Sequence, residues 1–169
     1  MKIFCAQINQ VWEDIDSAFE KADEAVSSAN ADMVVFCEQF ATGWRPAPSK
    51  FSGEEVKERW ISLARKYKTC VVGSYQKKTD CRKPENTMLV CAPDGSVLAE
   101  YSKIHLFSPA GEDKNFSAGA KPVTFEFGGI KFGCAICFDL RFPEIFREYL
   151  HAGCQAVLVQ AAWAAARVA

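Results

Sequence analysis

Long apolar runs are missing from this 169-residue chain. No stretch reaches the roughly 20 apolar residues that a membrane-crossing helix needs, so no transmembrane segment is expected. An excess of charge is missing too. Twenty Lys and Arg stand against 21 Asp and Glu, for a net charge of −1. Such a balance leaves no electrostatic footprint for nucleic acid or an anionic membrane, and neither is expected as a partner. Histidine is scarce: His105 and His151 are the only two, and they lack metal-ligand spacing. Cys134-x-x-Cys137 has no second Cys-x-x-Cys to complete a zinc site. Residues three apart on a strand also point to opposite faces, so these two sulfurs are not expected to meet. Repeats, linkers and low-complexity segments are absent. Met1-Lys2 leads straight into Ile3 to Ile8 with no longer basic region and no small-residue cleavage site, so no secretory signal is read.

What is present suits one soluble domain over residues 1–169. Hydrophobic residues make up 49% and charged residues 24%, which allows a substantial core. Cysteine is abundant, with eight. Cys5, Cys37, Cys70, Cys91, Cys134 and Cys154 lie in apolar, strand-like runs. They read as reduced core thiols of a cytoplasmic protein rather than a disulfide framework.

Apolar runs predict strands at Ile3–Ile8, Met33–Cys37, Cys70–Tyr75, Thr87–Cys91, Val97–Tyr101 and Ala156–Val159. Ile15, Phe19, Ala22 and Val26 recur at helical spacing, predicting a helix over Asp16–Ala29 capped by Asp16. Ser52-Gly53-Glu54-Glu55 has capping-box form ahead of a helix face bearing Val56, Trp60, Leu63 and Tyr67. Val123–Phe127 and Ile130–Ile136, joined by Gly128-Gly129, predict a hairpin. Glu144–Leu150 reads as a short helix ended by Gly153, and residues 103–119 as a polar loop. Helices between buried strands predict a layered α/β sandwich.

Three ionisable groups follow hydrophobic runs: Glu38, Lys103 and Cys137. If the sheets bring these ends to one edge, the set has a chemistry. A free cysteine has a pKa near ~8.5 and needs a base to become a nucleophile. A carboxylate whose own pKa is raised by desolvation can serve. A lysine opposite would stabilise the thiolate and the oxyanion of a tetrahedral intermediate. Each residue alone also has an ordinary reading: a core thiol, a loop carboxylate, a solvated strand-end charge.

Val35-Phe36-Cys37-Glu38-Gln39-Phe40, Tyr101-Ser102-Lys103-Ile104-His105-Leu106-Phe107 and the run from Gly133 to Glu144 resemble the three signature segments of the carbon–nitrogen hydrolase (nitrilase) superfamily. The resemblance covers essentially the whole chain. It implies an αββα four-layer sandwich and a Glu–Lys–Cys triad, with Glu38 as general base, Lys103 as transition-state cation and Cys137 as nucleophile. The N–H of Phe138 would join the oxyanion hole. Glu112 resembles the family's second glutamate, which positions the lysine and the substrate; it also reads as a solvated loop charge. Asp139 and Arg141 match motif positions expected to pin the turn by a salt bridge. Trp163 and Arg167 look like a pocket-side segment, though Trp163 also reads as a helix-start aromatic.

The implied reaction is acyl transfer through a thioester, without metal or organic cofactor. The partner is a small-molecule amide, most like the dicarboxylate monoamides of the ω-amidase-type branch. A nitrile or N-carbamoyl substrate would use the same triad. Two departures stand out. Cys37 occupies the usual place of a proline, and family chains continue past the Trp163–Arg167 segment with elements of the sheet and the dimer interface. The domain therefore reads as incomplete at its C-terminus, and a homodimer is expected where that portion is present. The competing expectation is an inactive remnant or a protein-interaction module.

Overall fold

The computed structural model describes residues 1–80 and 83–163; Arg167 lies outside them. Among the described residues, eight strands form two sheets. The first holds β1 (Ile3–Ala6), β2 (Met33–Phe36), β3 (Cys70–Lys77), β4 (Glu85–Cys91) and β5 (Val97–Ser102), in that spatial order. β1, β2 and β3 run parallel, β4 pairs antiparallel with β3, and β5 pairs antiparallel with β4. The second sheet holds β6 (Thr124–Phe127), β7 (Ile130–Ile136) and β8 (Ala156–Gln160). α1 (Ile15–Ala29) and α2 (Gly53–Tyr67) cover the first sheet, and α4 (Pro143–His151) covers the second. The four-residue α3 (Glu112–Asn115) and two 3₁₀ turns, Ser108–Ala110 and Cys137–Arg141, lie near the strand ends.

The αββα order follows from side-chain alternation. Along β2, Val34 and Phe36 join Ala18, Ala22, Val26 and Trp60 under the helices. Met33 and Val35 point the other way, against Phe125, Phe132, Cys134 and Ile136 of the second sheet. A strand buried on both faces reads as a continuous apolar run because neither face meets water. Gly133 sits between Phe132 and Cys134 and so faces outward, where the ring of Tyr149 on α4 covers it. Gly128 and Gly129 both have positive φ, 58° and 76°, as a two-residue type I′ hairpin turn requires.

Several expectations shift. β1 stops at Ala6 because the Gln7 N–H turns back to the Cys5 carbonyl at 3.0 Å. α1 is capped by Asp14, not Asp16; the Asp14 carboxylate accepts from the Ser17 N–H at 3.1 Å. The Ser52 side chain makes no cap on α2, and its would-be partner Glu55 is engaged by Arg59 at 3.3 Å. Residues 103–119 are not a plain loop, since they contain α3 and a 3₁₀ turn. Cys70, Cys91 and Cys134 are buried, but Cys5 is exposed on the edge strand, and Cys37 and Cys154 are half-buried. Among the described residues no helix is long and apolar enough to cross a membrane.

One close approach has a measurable consequence. A Cβ on Gly73 of β3 would fall 2.4 Å from the Trp60 ring, which is fully buried. Gly73→Ala is expected to cost about 1–3 kcal/mol by overpacking. Urea unfolding measures it; an unchanged midpoint would mean that the helix shifts freely over the sheet.

Candidate active site

The ends of three strands meet. β2 ends at Phe36, and Glu38 follows in a turn where Gln39 takes φ 50°. β5 ends at Ser102 and is followed directly by Lys103. β7 ends at Ile136, and Cys137 opens the 3₁₀ turn at φ 47°. A non-glycine residue in the left-handed region is strained and persists only where its surroundings over-determine it. Here Asp139 does so. Its fully buried carboxylate accepts from the Ile136 N–H at 2.9 Å, the Tyr101 hydroxyl at 2.7 Å and the His105 N–H at 2.9 Å. His105 Nδ1 lies 2.8 Å from the same carboxylate, and its ring stacks on Phe142 at 3.7 Å. The expected Asp139–Arg141 salt bridge is not formed, and Arg141 is exposed. Positions two apart on a 3₁₀ turn, with three residues per turn, project to different sides.

Glu38, Lys103 and Glu112 come together without solvent exposure. Lys103 Nζ lies 2.8 Å from Glu38 Oε1 and 2.8 Å from Glu112 Oε2. Glu112 also accepts from the Phe107 N–H at 2.7 Å. Its complete burial rules out the solvated loop charge. Glu38 Oε2 accepts from the Ala162 N–H at 3.3 Å, and the Glu38 carbonyl accepts from Gln10 Nε2 at 2.6 Å. The Cys137 thiol and the Glu38 carboxylate lie close enough to shift each other's protonation. Trp163 Nε1 donates to Cys137 Sγ at 3.1 Å, with Trp163 itself exposed. Cys137 is half-buried, so sulfur is the member of the set that an incoming molecule can reach.

Burial dominates the electrostatics. It pushes the Glu38 carboxyl above its ordinary value, against the opposing pull of Lys103. Burial pulls Lys103 down, but the charges of Glu38 and Glu112 more than offset this and hold it above its usual value, fully protonated. Burial, then the Glu38 charge, pushes the Cys137 thiol up to about 12 despite Lys103. The resting pair is therefore a neutral thiol beside a carboxylate of raised basicity. That arrangement favours proton transfer during attack over a standing thiolate.

Phe138 follows the thiol, its ring 5.1 Å from Phe107 and 5.4 Å from Phe142. Trp44 extends the aromatic line, 6.5 Å from Phe107. Among the described residues, no group of three or more His, Cys, Asp or Glu is placed to hold a metal ion. Two participants escaped the sequence. One is Asn86, whose amide reaches both glutamates; an asparagine inside an apolar strand is the signal that could have found it. The other is the Tyr101–Asp139–His105 clamp, whose members only the fold assembles.

The profile of the carbon-nitrogen hydrolase family matches residues 2–168. The chain is 29% identical over 170 residues to a 2-oxoglutaramate amidase of Bacillus subtilis (strain 168), covering 95% of this chain and 64% of that protein. It is 32% identical over 121 residues to an omega-amidase of Homo sapiens, covering 68% of this chain and 44% of that protein. Among solved structures, an amidase from Nesterenkonia sp. superposes with a TM-score of 0.89 at 28% identity, covering 97% of this chain and 65% of that one. A variant of the Nesterenkonia sp. AN1 amidase in complex with butyramide superposes with the same TM-score at 27% identity, covering 97% and 66%. The chain thus spans less than two thirds of the length of these relatives.

Proposed function

The chain belongs to the carbon-nitrogen hydrolase family, and we propose that its site hydrolyses the amide of a small dicarboxylate monoamide to acid and ammonia. The observation that carries this reading is a reachable thiol beside a buried carboxylate that is itself ion-paired to a buried lysine. Cys137 Sγ attacks the amide carbonyl carbon as its proton passes to Glu38. Lys103 has three N–H donors. Glu38 and Glu112 engage two of them. The third, with the Phe138 N–H, faces the oxyanion that forms. The carbon–nitrogen bond then breaks, and Glu38 returns its proton to the departing nitrogen, releasing ammonia. Water attacks the thioester, gives its proton to Glu38, and the carbon–sulfur bond breaks as sulfur is reprotonated.

Glu112 holds Lys103 from the side opposite Glu38, and Trp163 lies over the sulfur as part of the substrate-facing wall. The monoamide preference is supported by the amidase relatives from Bacillus subtilis and Homo sapiens. A nitrile or N-carbamoyl compound would engage the same three groups, so these belong in the assay beside succinamate and glutaramate.

Glu38→Gln is the direct test. It keeps the shape but removes the base, and ammonia release is expected to fall by about 10²–10⁴-fold. Glu38 must be ionised to accept the proton, so kcat/KM of the parent protein falls as pH drops through a limb lying above the ordinary carboxylate value of 4.5. Near-normal turnover in Glu38→Gln would mean that another base serves Cys137. No turnover by the parent on any of these compounds, with no labelling of Cys137 by iodoacetamide, would leave a binding module in place of an enzyme.

A further inference from the structure

We propose that Asn86 is a positioning residue of this site: its amide ties Glu38 to Glu112, and its main chain holds Lys103 between them. The inference rests on the reading of Glu38, Lys103 and Cys137 as the reacting groups.

Asn86 lies on β4 and is fully buried. Its Nδ2 donates to Glu38 Oε1 at 2.9 Å and to Glu112 Oε1 at 3.0 Å. Its carbonyl accepts the Lys103 N–H at 2.9 Å, continuing the register that pairs Thr87 with Ser102. One residue thus contacts all three charged members of the cluster. The opposite orientation of the amide would set its oxygen against two carboxylates, so the donor direction is dictated by charge. The cost is visible on the other side, where Asn86 Oδ1 is buried without a hydrogen-bond partner. A residue serving only to fill β4 could avoid that uncompensated desolvation by being apolar.

The need for such a residue follows from counting charge. Two buried carboxylates share one ammonium. Glu112 raises the affinity of Glu38 for a proton. Two N–H bonds from one neutral amide offset that repulsion by favouring the ionised carboxylates, and they add no charge. With Asn86 in place, Glu38 is held ionised and ready to take the thiol proton.

The test reads Cys137 itself. The rate of its alkylation by iodoacetamide is followed against pH by peptide mass spectrometry, which needs no turnover and separates Cys137 from the other accessible thiols. Asn86→Ala is expected to move the ascending limb up by about one pH unit. Asn86→Asp keeps the shape but adds a third carboxylate; its rate at pH 7 is expected to fall at least about ten-fold. Thermal unfolding of each variant separates a misfolded protein from a mispositioned site, and the isosteric aspartate serves if the alanine variant does not fold. Folded variants whose limbs coincide with the parent, while Glu38→Gln removes the limb, would overturn the role of Asn86 and leave the triad standing. A limb that survives Glu38→Gln would overturn the assignment of the base, and the role of Asn86 with it.

Discussion

Cys137→Ala is expected to abolish ammonia release, lowering kcat by at least about four orders of magnitude while the protein stays folded. The two halves of that expectation have separate causes. Among the described residues no other thiol shares the position: Cys134 is buried between the sheets, and Cys37 faces Gln10. Removing Cys137, the proposed nucleophile, therefore leaves no group to attack a substrate bound near Lys103. The fold is insensitive because Cys137 is half-buried and lies outside β7, while Asp139 holds the turn through main-chain and side-chain bonds that do not involve sulfur. Alanine keeps the strain of φ 47° that cysteine already carries, so the backbone adds no further cost. Ammonia release from succinamate and glutaramate, with circular dichroism of both proteins, makes the comparison. Retained turnover in the alanine variant would end the thioester mechanism.

Lys103→Met has the second large effect, and it acts on folding as well as on turnover. Lys103 is completely buried and is the cation for two completely buried carboxylates. Methionine fills the space but leaves the negative charges unbalanced. Breaking a buried pair from one side costs about 3–5 kcal/mol. The cost depends on pH with a definite sign. Without the ammonium, the buried cluster takes up a proton that the unfolded chain does not hold at neutral pH. The native state then binds more protons, so the variant loses stability as pH rises from about the unfolded carboxylate value to the raised folded one, and regains it on acidification. The deficit of Lys103→Met against the parent is therefore expected to narrow between pH 7.5 and pH 5, as read by urea unfolding at both values. A deficit that widens on acidification would mean that the carboxylates find another cation. Turnover is expected to be lost at every pH, since the proposed oxyanion would have no ammonium.

These two substitutions also show where the sequence is legible. The layered α/β architecture could be read because the strands are short apolar runs and the helices carry one apolar face. The hairpin could be read because Gly128-Gly129 meets the positive φ of a type I′ turn. Helix starts were harder, since Asp14 and Asp16 are equally good capping residues and the choice depends on which carboxylate reaches Ser17. The exposure of Cys5 was hidden because an edge strand and a central strand share the same apolar alphabet.

By itself, the sequence determined that a carboxylate, a lysine and a thiol each stand just past a hydrophobic strand. That is local information, carried by residue order and period. Only the tertiary structure decided that Lys103 pairs with Glu38 close to Cys137, that Glu112 is buried and paired, that Asp139 bonds His105 and Tyr101 rather than Arg141, and that Asn86 joins both glutamates. Each of those facts depends on side chains from distant segments meeting within a few ångströms. Contacts between distant segments are set by how two sheets and their helices pack, and no short window of sequence contains them.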